Sequence, residues 1–133
     1  MSLEAPVQPP PPVPPEKLRG LAHLFASTRY SLAGFLRLLA EPAFRHEIVL
    51  GLVLLAALAL GGATTPVLLI QGGLLLALAA TEALNTAIEL IVDRVSPEFS
   101  AFAGQAKDLG SFAVFCLLVV NLGFAAWSLL ALV

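Results

Sequence analysis

Two stretches of this chain contain no Asp, Glu, Lys, Arg or His: the 34 residues from Ile48 to Thr81 and the 25 from Leu109 to Val133. Each exceeds the roughly 18 to 20 apolar residues that carry a helix across a bilayer core. As a single helix the first would measure roughly 50 Å at about 1.5 Å per residue, against a hydrocarbon thickness of about 30 Å. It must fold back once, and Gly61-Gly62-Ala63-Thr64-Thr65-Pro66 supplies the turn. The expected fold class is an all-α membrane protein with three transmembrane helices. Composition agrees, since 12% of the residues are charged where soluble domains carry about 25%.

The same numbers exclude several function classes. A net charge of −2 and the absence of any basic tract argue against a nucleic-acid partner. Cys116 is the only cysteine, so one chain can build neither a disulfide nor a thiolate metal site.

Residues 1–15 include VQPPPPVPP, which removes backbone donors and favours an extended conformation. They read as a solvated, disordered tail and not as a signal peptide, because no basic region precedes an apolar core. Residues 16–133 form the membrane domain. From about 17 to 40, Leu18, Leu21, Phe25, Leu32, Phe35, Leu36 and Leu39 share one stripe, which predicts an amphipathic surface helix. Arg29 falls within that stripe, so the helix bends at Ser27 and Thr28, or Arg29 snorkels, or it reaches inward to an anion. Glu41-Pro42 marks the next helix start. Transmembrane helices are expected at about 42–61, 66–95 and 103–132, the last two separated by a break at Ser96-Pro97. All seven Lys and Arg residues precede the first crossing or fall between the second and third. The positive-inside rule places the N-terminus in the cytoplasm and the C-terminus outside, in a multi-pass protein of the cytoplasmic (inner) membrane.

Five of the nine carboxylates lie between Glu82 and Ser111. Glu82 is about 24 Å along its helix, close to the cytoplasmic face, and Glu82, Asn85, Glu89 and Asp93 share one face at i, i+3, i+7 and i+11. Like charges this close repel unless a cation or a base sits among them. Lys107 and Asp108 return to the same membrane level on the third helix, and Glu41 stands at the foot of the first. Such a set suits phosphoryl transfer, in which a divalent cation bridges carboxylates to phosphates and another carboxylate accepts the proton of the attacking hydroxyl. No phosphate-binding Gly-x-x-x-x-Gly-Lys-Ser/Thr loop or protein-kinase motif accompanies it. Polar glue between helices of an oligomer, or a scaffolding or ion- or proton-conducting role, fits the spacing as well.

EALNTAIELIVDRVSPEF, the following AGQAKDLGSFAV and the upstream EPAFRHE closely resemble the small prokaryotic diacylglycerol kinase family, whose related branch phosphorylates undecaprenol. The resemblance extends from about Tyr30 to Asn121. It implies a homotrimer that transfers the γ-phosphate of ATP, with Mg2+, to the hydroxyl of diacylglycerol at the cytoplasmic interface, giving phosphatidic acid. VDR and EPAFRHE lean toward the diacylglycerol branch over an undecaprenol kinase. By the same resemblance Glu82 is the catalytic base and touches substrate, and Glu41 and Glu89 are the metal ligands on the ATP phosphates. Asn85, Lys107 and Asp108 line the nucleotide site, Glu98 lies near the adenine, and Tyr30 helps cover it. Arg45, Glu47 and Ser111 fall on the lipid side, while Asp93 fits the motif without an assigned role. Three departures stand out: His23 and Arg19 where members often carry one Arg, Gln105 in place of an Arg before Ala-Lys-Asp, and the proline-rich extension.

Overall fold

A computed structural model describes residues 20–98 and 100–132; the proline-rich tail and Lys17, Leu18 and Arg19 lie outside the described residues. Four helices follow in order: α1 (Leu21–Leu38), α2 (Pro42–Leu60), α3 (Thr65–Val95) and α4 (Ala101–Leu130). α2, α3 and α4 are each long and apolar enough to cross a membrane, and the chain is a multi-pass membrane protein. Their outward faces carry Leu52, Leu76, Leu84, Phe112 and Trp127, all exposed. Water would not tolerate so much bare apolar surface, and lipid does.

The connections are set by local chemistry. Glu41 is extended, with φ −74° and ψ 126°, and Pro42 occupies the first turn of α2, where its missing N–H leaves no bond unmade. α2 ends in a Schellman motif: Ala63 N donates to Leu58 O at 2.9 Å and Gly62 N to Ala59 O at 3.2 Å. Gly62 has φ 86°, a conformation that a Cβ would strain. α3 then stops at Ser96-Pro97. Ser100 Oγ accepts from Ala103 N at 3.2 Å and so caps α4. That cap starts α4 at Ala101, two residues earlier than the sequence expectation of 103. The other boundaries shift by one or two residues: α1 ends at Leu38, α2 at Leu60 and α4 at Leu130, and α3 begins at Thr65.

Each crossing helix buries one face at seven-residue spacing. On α2 the buried residues are Phe44, Gly51 and Leu58. On α3 they are Gln71, Leu78, Asn85 and Val92, with Glu82 beside them. On α4 they include Ala103 and Gly110, then Val114, Asn121 and Ser128. A heptad period keeps a narrow seam facing its partner along the whole helix, as in left-handed bundles. α3 and α4 form the principal pair, antiparallel through the short loop, and α2 packs across them, where Gly51 brings its backbone close to the Leu75 side chain.

α1 joins this bundle at its C-terminal end. Leu38 is buried, and the Phe35 ring meets Phe44 edge-on with centroids 6.2 Å apart. α1 runs through Ser27 and Thr28 as one helix. Arg29 is exposed, with its guanidinium 5.8 Å from the Tyr30 ring centroid. Phe25, Leu32 and Leu36 remain exposed as well.

Candidate functional site

α3 is 31 residues long, so at about 1.5 Å per residue it measures roughly 46 Å and outruns the hydrocarbon core of about 30 Å. Glu82 lies about 26 Å from its Thr65 end, near one edge of that core. At this level a cavity of about 340 Å3 opens between the start of α2, the middle of α3 and the third turn of α4. Glu41 and Glu47 line it from α2 and its cap, Glu82, Asn85, Thr86 and Glu89 from α3, and Ser111 from α4.

The α3 residues enter this cavity at graded depths. Glu82 and Asn85 are buried, 6% and 8% exposed, because the seam against α4 passes through them. Glu89 is half-buried and accepts a hydrogen bond from Asn85 Nδ2 at 3.3 Å. Asp93, one turn further, is exposed and pairs with Lys107 of α4, Nζ to Oδ1 2.5 Å. The four thus share one helix face, and burial falls along it as α3 leaves its packed neighbours.

Two residues of the cavity lining each hold a buried oxygen without a hydrogen-bond partner, Glu47 Oε2 and Asn85 Oδ1. Buried acceptors without donors are rare; both residues line a space that would admit a ligand carrying donors or a cation, although the Asn85 oxygen itself faces Gly110 of α4. Four carboxylates around one cavity create a field that favours positive charge. The oxygen-only donor set is the kind that a hard divalent cation takes. Among the described residues no three His, Cys, Asp or Glu are grouped closely enough to enclose a metal by themselves. Such a cation would therefore share its coordination with ligand oxygens, as magnesium does on nucleotide phosphates.

The remaining expected site residues stand outside the cavity lining. Lys107 is half-exposed beside Asp93, and Asp108 is exposed next to it. Glu98 is exposed in the α3–α4 loop, where its carbonyl accepts from Ser96 Oγ at 3.1 Å. Tyr30 is exposed on α1 and Arg45 on α2. His23 is exposed near the start of α1. Sequence reasoning missed Thr86 and Gly110. Thr86 follows Glu82 by one turn, a spacing that could have placed it, and Gly110 lies seven residues after Ala103 on the α4 seam.

The model of the prokaryotic diacylglycerol kinases matches residues 29–129, from the second half of α1 through nearly all of α4. The chain belongs to this family. A diacylglycerol kinase of Sinorhizobium is 50% identical over 114 residues, covering 86% of this chain and 83% of the relative. The diacylglycerol kinase of Haemophilus influenzae is 39% identical over 105 residues, 78% of this chain and 89% of the relative. That of Escherichia coli is 38% identical over 104 residues, 76% and 84%. Membership of the diacylglycerol kinase family makes the chain a membrane-embedded lipid kinase and selects phosphoryl transfer from the readings that residue spacing left open.

Proposed function

We propose that the chain phosphorylates diacylglycerol with ATP at the cytoplasmic face of the inner membrane, giving phosphatidic acid and ADP. The observation that carries this reading is the single cavity, at the edge of the apolar layer, into which Glu41, Glu47, Glu82, Asn85, Glu89 and Ser111 all open. A lipid alcohol and a water-soluble nucleotide can meet only at such an edge.

Glu82, the deepest of the carboxylates on α3, acts as the base. It takes the proton of the lipid hydroxyl as that oxygen bonds to the γ-phosphorus, and the bond from the γ-phosphorus to the β–γ bridging oxygen breaks to release ADP. Asn85 holds Glu89 through its amide, while its own oxygen packs against Gly110 of α4. Lys107 and Asp108, with Glu98 and Tyr30 toward the adenine, bind the nucleotide from the water side. Arg45, Glu47 and Ser111 hold the glycerol end of the lipid. Glu41 and Glu89 would hold Mg2+, which neutralises phosphate charge when bound.

Two further parts belong to this reading. The N-terminus and the α3–α4 loop are cytoplasmic, a reading supported by the placement of the basic residues, and α1 lies in the interface with its exposed Phe25, Leu32 and Leu36 toward lipid. The chain works as a homotrimer. Tyr30, Glu98 and Arg45 stand outside the cavity of their own chain, which leaves room for neighbouring copies to complete each site.

The test supplies diacylglycerol and undecaprenol together in mixed micelles with γ-labelled ATP and magnesium, and identifies the labelled lipid. Labelled phosphatidic acid is expected. Label on undecaprenol alone would move the enzyme to that branch, and the absence of magnesium-dependent ATP consumption with either lipid would return it to a scaffolding or ion-conducting role.

A further inference from the structure

We propose that Gln71 and Asn121 are a positioning pair that fixes the axial register of α4 against α3 and thereby the geometry of the catalytic cavity. Each of the two uncharged stretches contains one amide side chain, Gln71 in the first and Asn121 in the second, and the fold brings these two together. Both are wholly buried, at 0% exposure. Gln71 Nε2 donates to Asn121 Oδ1 at 2.8 Å. Asn121 Nδ2 donates in turn to Leu117 O of its own helix at 2.8 Å and to Leu74 O of α3 at 3.2 Å. One amide on α4 is thus tied both to a side chain and to a backbone carbonyl of α3, one turn apart.

Apolar side chains on two membrane helices pack nearly as well after a small slide, because leucine against leucine has no preferred partner. A hydrogen bond has one, and within the apolar layer no water competes for it. A slide of one residue, about 1.5 Å, breaks both of the bonds that cross between the helices. The pair is not arranged as a means of adhesion alone, since Gln71 Oε1 stays buried without a partner. Two apolar residues of similar size would leave no such atom.

The distance to the site is the same along both helices. Glu82 follows Gln71 by eleven residues on the buried face of α3, and Gly110 precedes Asn121 by eleven on that of α4, roughly 16 Å in each case. At that level Gly110 lies against Asn85, and Lys107 reaches Asp93 one to two turns beyond. A fixed register at the amide pair therefore sets how Lys107 and Asp108 of α4 face Asn85 and Glu89 of α3. This inference rests on the reading above that those residues bind the nucleotide from both helices.

The experiment compares the wild-type full chain with Q71M, with N121L and with Q71M/N121L in lipid–detergent micelles. Helix content and melting temperature are recorded, with KM for ATP and KM for the lipid. The double variant removes both polar partners at similar volume and retains its helix content. Its KM for ATP is expected to rise about ten-fold, within the effect that a misplacement of about 1 Å can have. Its KM for the lipid stays within about two-fold, because the hydrogen bonds of the pair run between α3 and α4, whereas α2 supplies most of that side. A loss of stability alone would lower the active fraction and leave both KM values in place. An unchanged KM for ATP in the folded double variant overturns the proposal. Should the double variant fail to fold, N121L decides by the same KM, since it alone removes both bonds that cross between the helices. The functional reading fails separately, when wild-type protein phosphorylates a different lipid or none; KM for ATP is then measured with the alcohol, or the water, that accepts the phosphate.

Discussion

Gly110 lies directly against Asn85: a Cβ built on Gly110 would run into Asn85 Oδ1. The contact joins the α3–α4 seam to the cavity, because the same Asn85 holds Glu89 through its amide.

Gly110→Ala is therefore expected to fail in activity and not in helix formation. Alanine favours a helix interior by about 1 kcal/mol over glycine, so nothing local opposes the change. The new methyl group must displace the Asn85 amide, and with it the Glu89 contact, by about 1 Å. We expect turnover to fall by about ten- to a hundred-fold with unchanged helix content, measured by lipid phosphorylation and circular dichroism on the same preparation. Wild-type turnover would mean that Asn85 has room to move without effect.

Glu82→Gln keeps the shape of the side chain and removes its ability to take a proton. Positioned general bases contribute about 10²- to 10⁴-fold, and a loss in that range is expected in turnover. Binding of a non-hydrolysable ATP analogue, followed by calorimetry, should persist because the residues assigned to the nucleotide are untouched. If turnover stays near that of the wild type, the base is another group.

The parts of this fold that the sequence makes legible are those with strong local chemistry. Glu41-Pro42, Gly61-Gly62 and Ser96-Pro97 mark helix ends in the sequence, and the structure ends or starts helices within a residue of each. Which face of each crossing helix is buried was not legible from apolarity, because lipid-facing and protein-facing positions are equally apolar: Leu76 is exposed and Leu78 buried two residues later. The signal lies instead in small and amide residues at seven-residue spacing, Gly51 on α2, Gln71 and Asn85 on α3. For the site, the i, i+3, i+7 spacing groups Glu82, Asn85 and Glu89, and the structure opens all three onto one cavity. Spacing along one helix could not bring Glu41, Glu47 or Ser111 to the same place. Those positions depend on how three helices pack; topology puts Glu41 at the same membrane level, and family resemblance alone links Glu47 and Ser111 to it.

Lys107 and Asp93 form an ion pair whose members are both well exposed, with side chains 38% and 64% accessible. Pairs of that kind add little to stability and weaken with salt. Asp93→Asn should leave the melting temperature unchanged within error. Lys107→Met is expected to raise KM for ATP, because the same ammonium is assigned to phosphate. Removing its partner frees that ammonium, so Asp93→Asn should not raise KM for ATP. If both variants raise it alike, the pair acts as a unit and Asp93 holds Lys107 in place for the nucleotide.

Gly62 offers a stability test that leaves the cavity alone. Its φ of 86° lies in the left-handed region, and an added Cβ there costs about 1–2 kcal/mol. Neighbouring Gly61 has φ −72°, which any residue adopts, although a Cβ there would stand 3.3 Å from Leu129 Cδ2 of α4. Gly62→Ala should therefore lower the melting temperature by strain in the turn, and Gly61→Ala should do so only as far as Leu129 and the Ala57 carbonyl oxygen, 3.1 Å from the added Cβ, cannot give way. The Schellman bonds close the end of α2 just before α3 begins, about 26 Å along α3 from Glu82. Activity per folded molecule should be unchanged in Gly62→Ala, measured as turnover normalised to nucleotide-binding sites. A fall in that normalised turnover would show that the turn transmits its geometry along α3 to the cavity, over a distance of about 26 Å.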